Sequence, residues 1–291
     1  MPFGRLLTAM VTPFTDDGAV DLVKAAELAT YLVDEMDNDA LVISGTTGES
    51  PTTTDAEKTA LIRAVDEAVG DRAGVIAGVG TFSTAHTVHL AHEAAAAGAD
   101  GLLVVTPYYS KPPQAGMLAH FRAVADATEL QILIYDIPHR AGAEVTTETL
   151  LRLADHPRIV AVKDAKGNLV ESGRVLAATD LAYYSGDDVL TLPLMSIGGV
   201  GLVGTSTHFT GRLAKQMMEA YAEGRVGDAL NLHRRLEPVF TGVFATQGCI
   251  LVKAGLELIG RPVGGLRLPQ VSATPEEQAT FGERLREVGL L

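Results

Sequence analysis

Ile159-Val160-Ala161-Val162-Lys163 is a short apolar run that ends on a lysine. Its length and β-branched content suit a strand buried on both faces, as strands of parallel sheets are. A lysine at the exit of such a strand sits where burial disfavours its charged form and makes the free amine available. That amine is the group that forms Schiff bases with carbonyl substrates. The competing reading is a strand-end side chain that carries its ammonium out to solvent.

Working outward, further runs of the same kind occur at Leu6–Val11, Ala40–Ser44, Val75–Gly78, Gly101–Val105, Ile132–Tyr135, Leu181–Ser185 and Gly201–Thr205. Amphipathic stretches lie between them, at Leu22–Glu35, Thr54–Ala68, Thr84–Ala97, Met117–Ala127 and Thr146–Ala154, several opened by a Ser, Thr or Asp suited to an N-cap. Eight strand-then-helix units predict a parallel (β/α)8 barrel closed by right-handed crossovers. An open doubly wound sheet is the alternative. After Thr210 the pattern turns helical, through Arg212–Glu223, Val226–Phe244, Ile250–Ile259 and Pro275–Val288. The expected organisation is therefore an α/β barrel over 1–224 and a C-terminal helical domain over 225–291.

The formal net charge of −13 leaves no excess of cations to neutralise phosphates, so neither nucleic acid nor an anionic membrane is the expected partner. Cys249 is the single cysteine and cannot form an intramolecular disulfide, and no charged n-region with an apolar h-region opens the chain. Both point to the cytoplasm. No apolar stretch reaches the roughly 20 residues that a membrane-spanning helix needs.

In (β/α)8 barrels chemistry gathers where strands pass into the following loops. The polar residues of this chain cluster at those positions: Gly45-Thr46-Thr47-Gly48-Glu49-Ser50, Thr106-Pro107-Tyr108-Tyr109, Tyr135-Asp136-Ile137-Pro138-His139-Arg140, Lys163 and Ser185-Gly186-Asp187-Asp188. One rim would then hold an amine, several hydroxyls and a guanidinium. That convergence favours the Schiff-base reading of Lys163. Tyr135, ending the adjacent strand, can move protons as carbinolamine becomes imine, helped by Thr46 or Thr47 and by Tyr109. Backbone N–H groups of the Gly-Thr-Thr-Gly turn can receive a carboxylate. Arg140 offers a planar fork for a second one. Against these stand plainer roles: Thr46 and Thr47 as helix caps, Tyr108 and Tyr109 as packing aromatics, and Arg140 as a solvated charge. Glu49 and Asp187 are read as ion-pair or capping residues.

These motifs, together with Ala141-Gly142 and Val162-Lys163-Asp164, resemble dihydrodipicolinate synthase in order and spacing over nearly the whole chain, from about Leu6 to the C-terminal helices. The resemblance implies a (β/α)8 barrel with a C-terminal helical domain. It makes Lys163 the Schiff-base lysine for pyruvate, Tyr135 the proton donor and acceptor, and Thr46 and Tyr109 their relay partners, with Tyr109 crossing into a neighbouring subunit. Thr47 would contact the pyruvate carboxylate, Val203 and Gly186 would border the substrate, and Arg140 would receive the carboxylate of L-aspartate 4-semialdehyde. The implied product is 4-hydroxy-tetrahydrodipicolinate, on the diaminopimelate route to lysine. No metal or organic cofactor is implied, because the protonated imine is itself the electron sink. The implied assembly is a homotetramer, a dimer of tight dimers.

Two departures from the family pattern stand out. Gly204 occupies a position where the family often has Ser, which bears on packing around the pyruvate. Phe82 and His86 replace the Asn and Glu typical of lysine-inhibited members, which implies weak or absent inhibition by lysine. Gly199-x-Gly201-x-x-Gly204 imitates a dinucleotide fingerprint, but its glycines precede and occupy a strand instead of joining strand to helix. His86, His89 and His92 drift around one helix without a supporting Cys or acidic cluster, so a solvated or interface face is expected there and not a metal site. A sugar-acid aldolase or N-acetylneuraminate lyase shares the barrel and the lysine, and a non-catalytic barrel that binds a 2-oxo acid is a further alternative.

Overall fold

The computed structural model describes residues 1–291. Eight parallel strands close into a barrel in sequence order: β1 Leu6–Ala9, β2 Ala40–Ile43, β3 Gly74–Gly78, β4 Gly101–Val105, β5 Gln131–Asp136, β6 Ile159–Asp164, β7 Ala182–Ser185 and β8 Gly201–Gly204. The helices are α1 Leu22–Thr30, α2 Asp55–Val69, α3 Thr84–Ala96, α4 Gln114–Asp126, α5 Pro138–Ala141, α6 Thr147–Leu153, α7 Leu169–Ala178, α8 Thr191–Met195, α9 Thr207–Ala222, α10 Val226–Gly242, α11 Gly248–Leu258 and α12 Pro275–Val288. Closure of β8 onto β1 excludes the open sheet.

The apolar alternation of each strand explains the two cores. Leu7, Ala9, Val42, Ile76, Leu103, Leu133, Ala161, Tyr184 and Val203 fill the barrel interior, while Leu6, Leu41, Val75, Leu102, Ile134 and Val162 face the helical ring. Residues two apart share a face, so Tyr135 follows Leu133, and Lys163 follows Ala161, on the inner side. Their alignment depends on an irregularity. Ile132 pairs with Ile159 but Leu133 pairs with Ala161, so β6 advances by two residues where β5 advances by one. Beyond that slip Tyr135 stands opposite Lys163. Without it the two would lie on opposite faces, since a one-residue shift inverts the side-chain phase.

The boundaries differ from expectation where turn chemistry intervenes. The α-helix that begins at Leu22 gives way at Tyr31 to a π-helical turn through Glu35. Asn168 caps α7 through Glu171 N–H, and this helix escaped the sequence reading because Gly167 and Gly173 bracket its start and interior. α9 begins at Thr207, before the expected Arg212, because Ser206 is tied to buried Asp188 and starts the helix there. Residues of α10, α11 and α12, among them Phe240, Val252 and Phe281, belong to the same continuous core as the barrel helices. Phe281 meets Phe209 of α9 edge-on at 5.6 Å, and Gly255 of α11 lets the two rings approach, since a Cβ there would fall 2.6 Å from Phe209.

Candidate active site

A cavity of about 470 Å³ opens at the carboxyl ends of the strands, and Thr46, Thr47, Tyr135, Arg140, Lys163 and Gly186 all line it. Four separate segments thus converge where the barrel geometry requires. Lys163 is 5% exposed, and its Nζ makes neither a hydrogen bond nor an ion pair, standing 4.2 Å from the Tyr135 ring centroid. Burial pushes this amine down to about 8; the Asp188 carboxylate opposes the fall and Arg140 adds to it. The Tyr135 phenol is raised to about 12 by burial, against the Arg140 guanidinium and the Thr46 hydroxyl, which lower it. The tyrosine therefore holds its proton at neutral pH, while the lysine keeps a usable free-amine fraction.

The turn after β2 supplies the donors. Thr46 O and Gly45 O accept from Glu49 and Ser50, whereas the N–H groups of Thr46, Thr47 and Gly48 have no protein acceptor. Gly48 is needed for this closeness: a Cβ would stand 3.0 Å from Met10 O and 3.2 Å from Thr12 Oγ1. Neither threonine caps a helix. α2 is capped by Thr54 in a reciprocal box with Glu57, so the capping reading of Thr46 and Thr47 fails. Thr47 Oγ1 lies 3.4 Å from Thr205 Oγ1. Gly186 packs under the lysine stem, where a Cβ would come 3.1 Å from Lys163 Cγ.

Tyr109 lies elsewhere. It has φ +70°, an unfavourable conformation for a tyrosine, and is 91% exposed. It lines a second cavity of about 340 Å³ with Tyr108 and Ser50, and the two cavities share Thr46, Tyr135, Ile137 and Arg140. Tyr135 thus stands between the amine and the Tyr109 side. Val203 is fully buried inside the barrel and does not line the main cavity; Thr205, just past β8, does. At Gly204 a Cβ would fall 2.5 Å from Thr207 Cγ2 and 3.0 Å from Asp188 Oδ1, so Thr207 fills the room a larger residue would use.

Sequence reasoning missed several contributors. Asp188 is completely buried, accepts from Thr205 N–H, Ser206 N–H and Ser206 Oγ, and so fixes the turn that presents Thr205. Its neighbour Asp187 lines the cavity, forms no ion pair and stands at the N-cap position of the short 3-10 turn Asp188–Leu190 without a side-chain cap bond, so of the ion-pair or capping reading only the cap position holds; burial raises its carboxyl. From the C-terminal helices, Phe244, Gln247 and Cys249 complete the wall. The only signal for them was position, between two helices at the end of the chain. Glu49, read as an ion-pair residue, does pair, at 2.8 Å with Lys253. His86 likewise contacts Asp55 at 2.8 Å, and His92 bonds to the Ala127 carbonyl at 2.8 Å.

A buried, unpartnered lysine on the sixth strand of a (β/α)8 barrel, faced by a tyrosine and a turn of free N–H donors, defines a Schiff-base-forming barrel lyase. The sequence pattern of the Dihydrodipicolinate synthetase family matches residues 2–288, and the chain belongs to that family. A 4-hydroxy-tetrahydrodipicolinate synthase of Cutibacterium acnes is 64% identical over 279 residues, covering 96% of this chain and 95% of that protein. One from Acidothermus cellulolyticus is 64% identical over 288 residues, covering 99% and 93%. Among solved structures, that of DHDPS from Cyanidioschyzon merolae with lysine bound superposes with a TM-score of 0.97 at 43% identity, covering 100% of this chain and 99% of that one.

Proposed function

We propose that the protein condenses pyruvate with L-aspartate 4-semialdehyde to 4-hydroxy-tetrahydrodipicolinate, the lyase step that commits carbon to diaminopimelate and lysine. The observation that carries this reading is the register pairing of Tyr135 with an unpartnered, buried Lys163 in a cavity also lined by Thr46 and Thr47, whose N–H groups are free. The Lys163 amine adds to the pyruvate ketone, and Tyr135 passes protons as water leaves and the imine forms. Loss of a methyl proton gives the enamine, whose carbon attacks the semialdehyde carbonyl. The amino group of the extended chain then attacks the imine carbon, closes the ring and expels Lys163 as the free amine. Thr47 and its turn hold the pyruvate carboxylate, Gly186 leaves room beside the lysine, and Arg140 receives the second carboxylate. Val203 supports this floor from inside the barrel.

The decisive test is pyruvate consumption by the purified protein with L-aspartate semialdehyde, N-acetylmannosamine or a sugar-acid aldehyde as acceptor. Rapid turnover with the semialdehyde alone is expected. Preference for a sugar acceptor would instead make it an N-acetylneuraminate lyase or sugar-acid aldolase, and no turnover with any would leave a 2-oxo-acid-binding barrel.

The reading extends to assembly. The strained, outward Tyr109 is a relay residue for a neighbouring subunit, reached through the cavity that ends on Tyr135 and Thr46, and the homotetramer is a dimer of such tight dimers. Residues 1–224 form the catalytic barrel and 225–291 the helical domain that closes the pocket with Gln247 and Cys249. No helix is long and apolar enough to cross a membrane, and a cytoplasmic location suits the single, buried thiol of Cys249. Lysine is expected to inhibit weakly or not at all. Phe82 stands edge-on to Tyr108 at 5.6 Å, and His86 is already committed to Asp55, so neither offers a carboxylate to an ammonium. Half-inhibition by sub-millimolar lysine at neutral pH would overturn that.

A further inference from the structure

Gln247 is a polar group lining the Lys163 cavity to which the reaction sequence gives no task, and the one that bonds directly to Arg140. It precedes α11, and its side chain and that of Arg140 both line the cavity. Arg140 Nη2 donates to Gln247 Oε1 at 2.8 Å. That contact settles which way the amide faces, because a guanidinium has donors only and must meet the oxygen. Gln247 Nε2 is then the free end, and it has no acceptor in the protein. Arg140 keeps its remaining N–H groups as well. The pair therefore presents mainly donors to the cavity, the one acceptor atom, Gln247 Oε1, being engaged by Arg140. A polyhydroxylated aldehyde needs acceptors as well as donors, whereas a carboxylate needs donors alone. Asp187, on the same cavity, supplies an acceptor for the amino group of a substrate that carries both charges.

We propose that Gln247 is a specificity-determining residue: with Arg140 it forms a two-residue receptor for the carboxylate of the second substrate, donating Nε2–H to one oxygen while holding the guanidinium plane in place. This inference rests on the function proposed above and assigns one more residue to its second-substrate site.

Steady-state KM values for pyruvate and for the semialdehyde, in the native protein, Gln247→Ala and Gln247→Glu, test it. Alanine should raise KM for the semialdehyde about tenfold, the size of one hydrogen bond to a charged group. Glutamate, which neutralises Arg140 and offers no donor, should raise it on the order of 100-fold or more. KM for pyruvate, and borohydride trapping of pyruvate on Lys163, should stay within about twofold of native, and kcat should change less than KM for the semialdehyde. A parallel rise in both KM values would reduce Gln247 to a structural role, and unchanged values in both variants would remove it from the site. Glutamate no worse than alanine would show that the receptor does not read negative charge. Failure of the native protein to condense the semialdehyde appears before any variant is made, and overturns the proposed function along with this inference.

Discussion

Replacing Lys163 by methionine is expected to abolish condensation, by on the order of 10⁴-fold or more, and at the same time to make the folded protein more stable at neutral pH. Activity is lost because no other amine lines the cavity to carry pyruvate; borohydride reduction in the presence of pyruvate should trap a covalent adduct in the native protein and none in the variant. Stability is gained because the native amine sits at about 8, against 10.5 for a solvated lysine. Below about 8 both folded and unfolded states are protonated, and the fold carries the whole cost of a buried, unpaired cation, on the order of 3 kcal/mol. Between about 8 and 10.5 the unfolded state binds more protons than the folded one, so native stability rises with pH through that window. Methionine matches the lysine stem in length and flexibility and has no charge to bury. Its advantage in thermal or urea denaturation should thus be largest at pH 7 and vanish above about pH 10.5. On the proposed mechanism the same free amine governs catalysis, so kcat/KM for pyruvate should climb with pH, reach half its plateau near 8 and level off above that. An adduct in the Met variant would dismiss Lys163 as the nucleophile, and equal stabilities at pH 7 would show that its ammonium is well solvated.

Much of this was legible in the sequence, for identifiable reasons. Each strand is a short apolar run with a polar residue at its exit, and the barrel rule converts strand order into a common rim, so Thr46, Tyr135, Arg140 and Lys163 could be gathered before any coordinates. What could not be read is register. Nothing in Ile159-Val160-Ala161-Val162 marks the two-for-one step against β5, yet that step sets Tyr135 opposite Lys163. Nor does local pattern reveal partners brought from far along the chain. Asp188 looked like one more loop carboxylate until folding enclosed it beneath the Thr205–Ser206 turn, and Gln247 reaches Arg140 across 107 residues of sequence. The role of Gly204 was also invisible, because it depends on Thr207 and Asp188 occupying the neighbouring space.

Breaking the Glu49–Lys253 pair from one side is expected to cost about 3–5 kcal/mol and to lower the melting temperature by on the order of 10 °C. Both side chains are almost completely enclosed, with Nζ 2.8 Å from Oε1. Each charge has further support: the Lys253 ammonium donates to Gly265 O and lies 4.3 Å from the Phe14 ring, and Glu49 Oε2 accepts from Arg267 N–H at 3.0 Å. Arg267 in turn holds Glu57 through two contacts of 2.6 and 2.9 Å. Glu49→Gln keeps the shape and removes the charge, leaving Lys253 as a buried cation without its counter-ion, which is the costly outcome. Adding Lys253→Met should recover most of the loss, since desolvation of two ions offsets most of their mutual attraction and an apolar replacement can match the pair. A thermodynamic cycle over the two single variants and the double variant, measured by denaturation, checks this, and additive effects would sink it. If stability alone were at stake, the doubly neutral protein would serve equally well. Glu49, however, closes the Thr46–Thr47 turn in a left-handed conformation, φ 55°, and Lys253 belongs to the helix whose first residues wall the cavity. The pair therefore ties the Thr46–Thr47 turn, the proposed pyruvate receptor, to the α11 wall of the same cavity. The double variant should regain its melting temperature while its KM for pyruvate stays raised several-fold, separating what the ion pair does for the fold from what it does for the site.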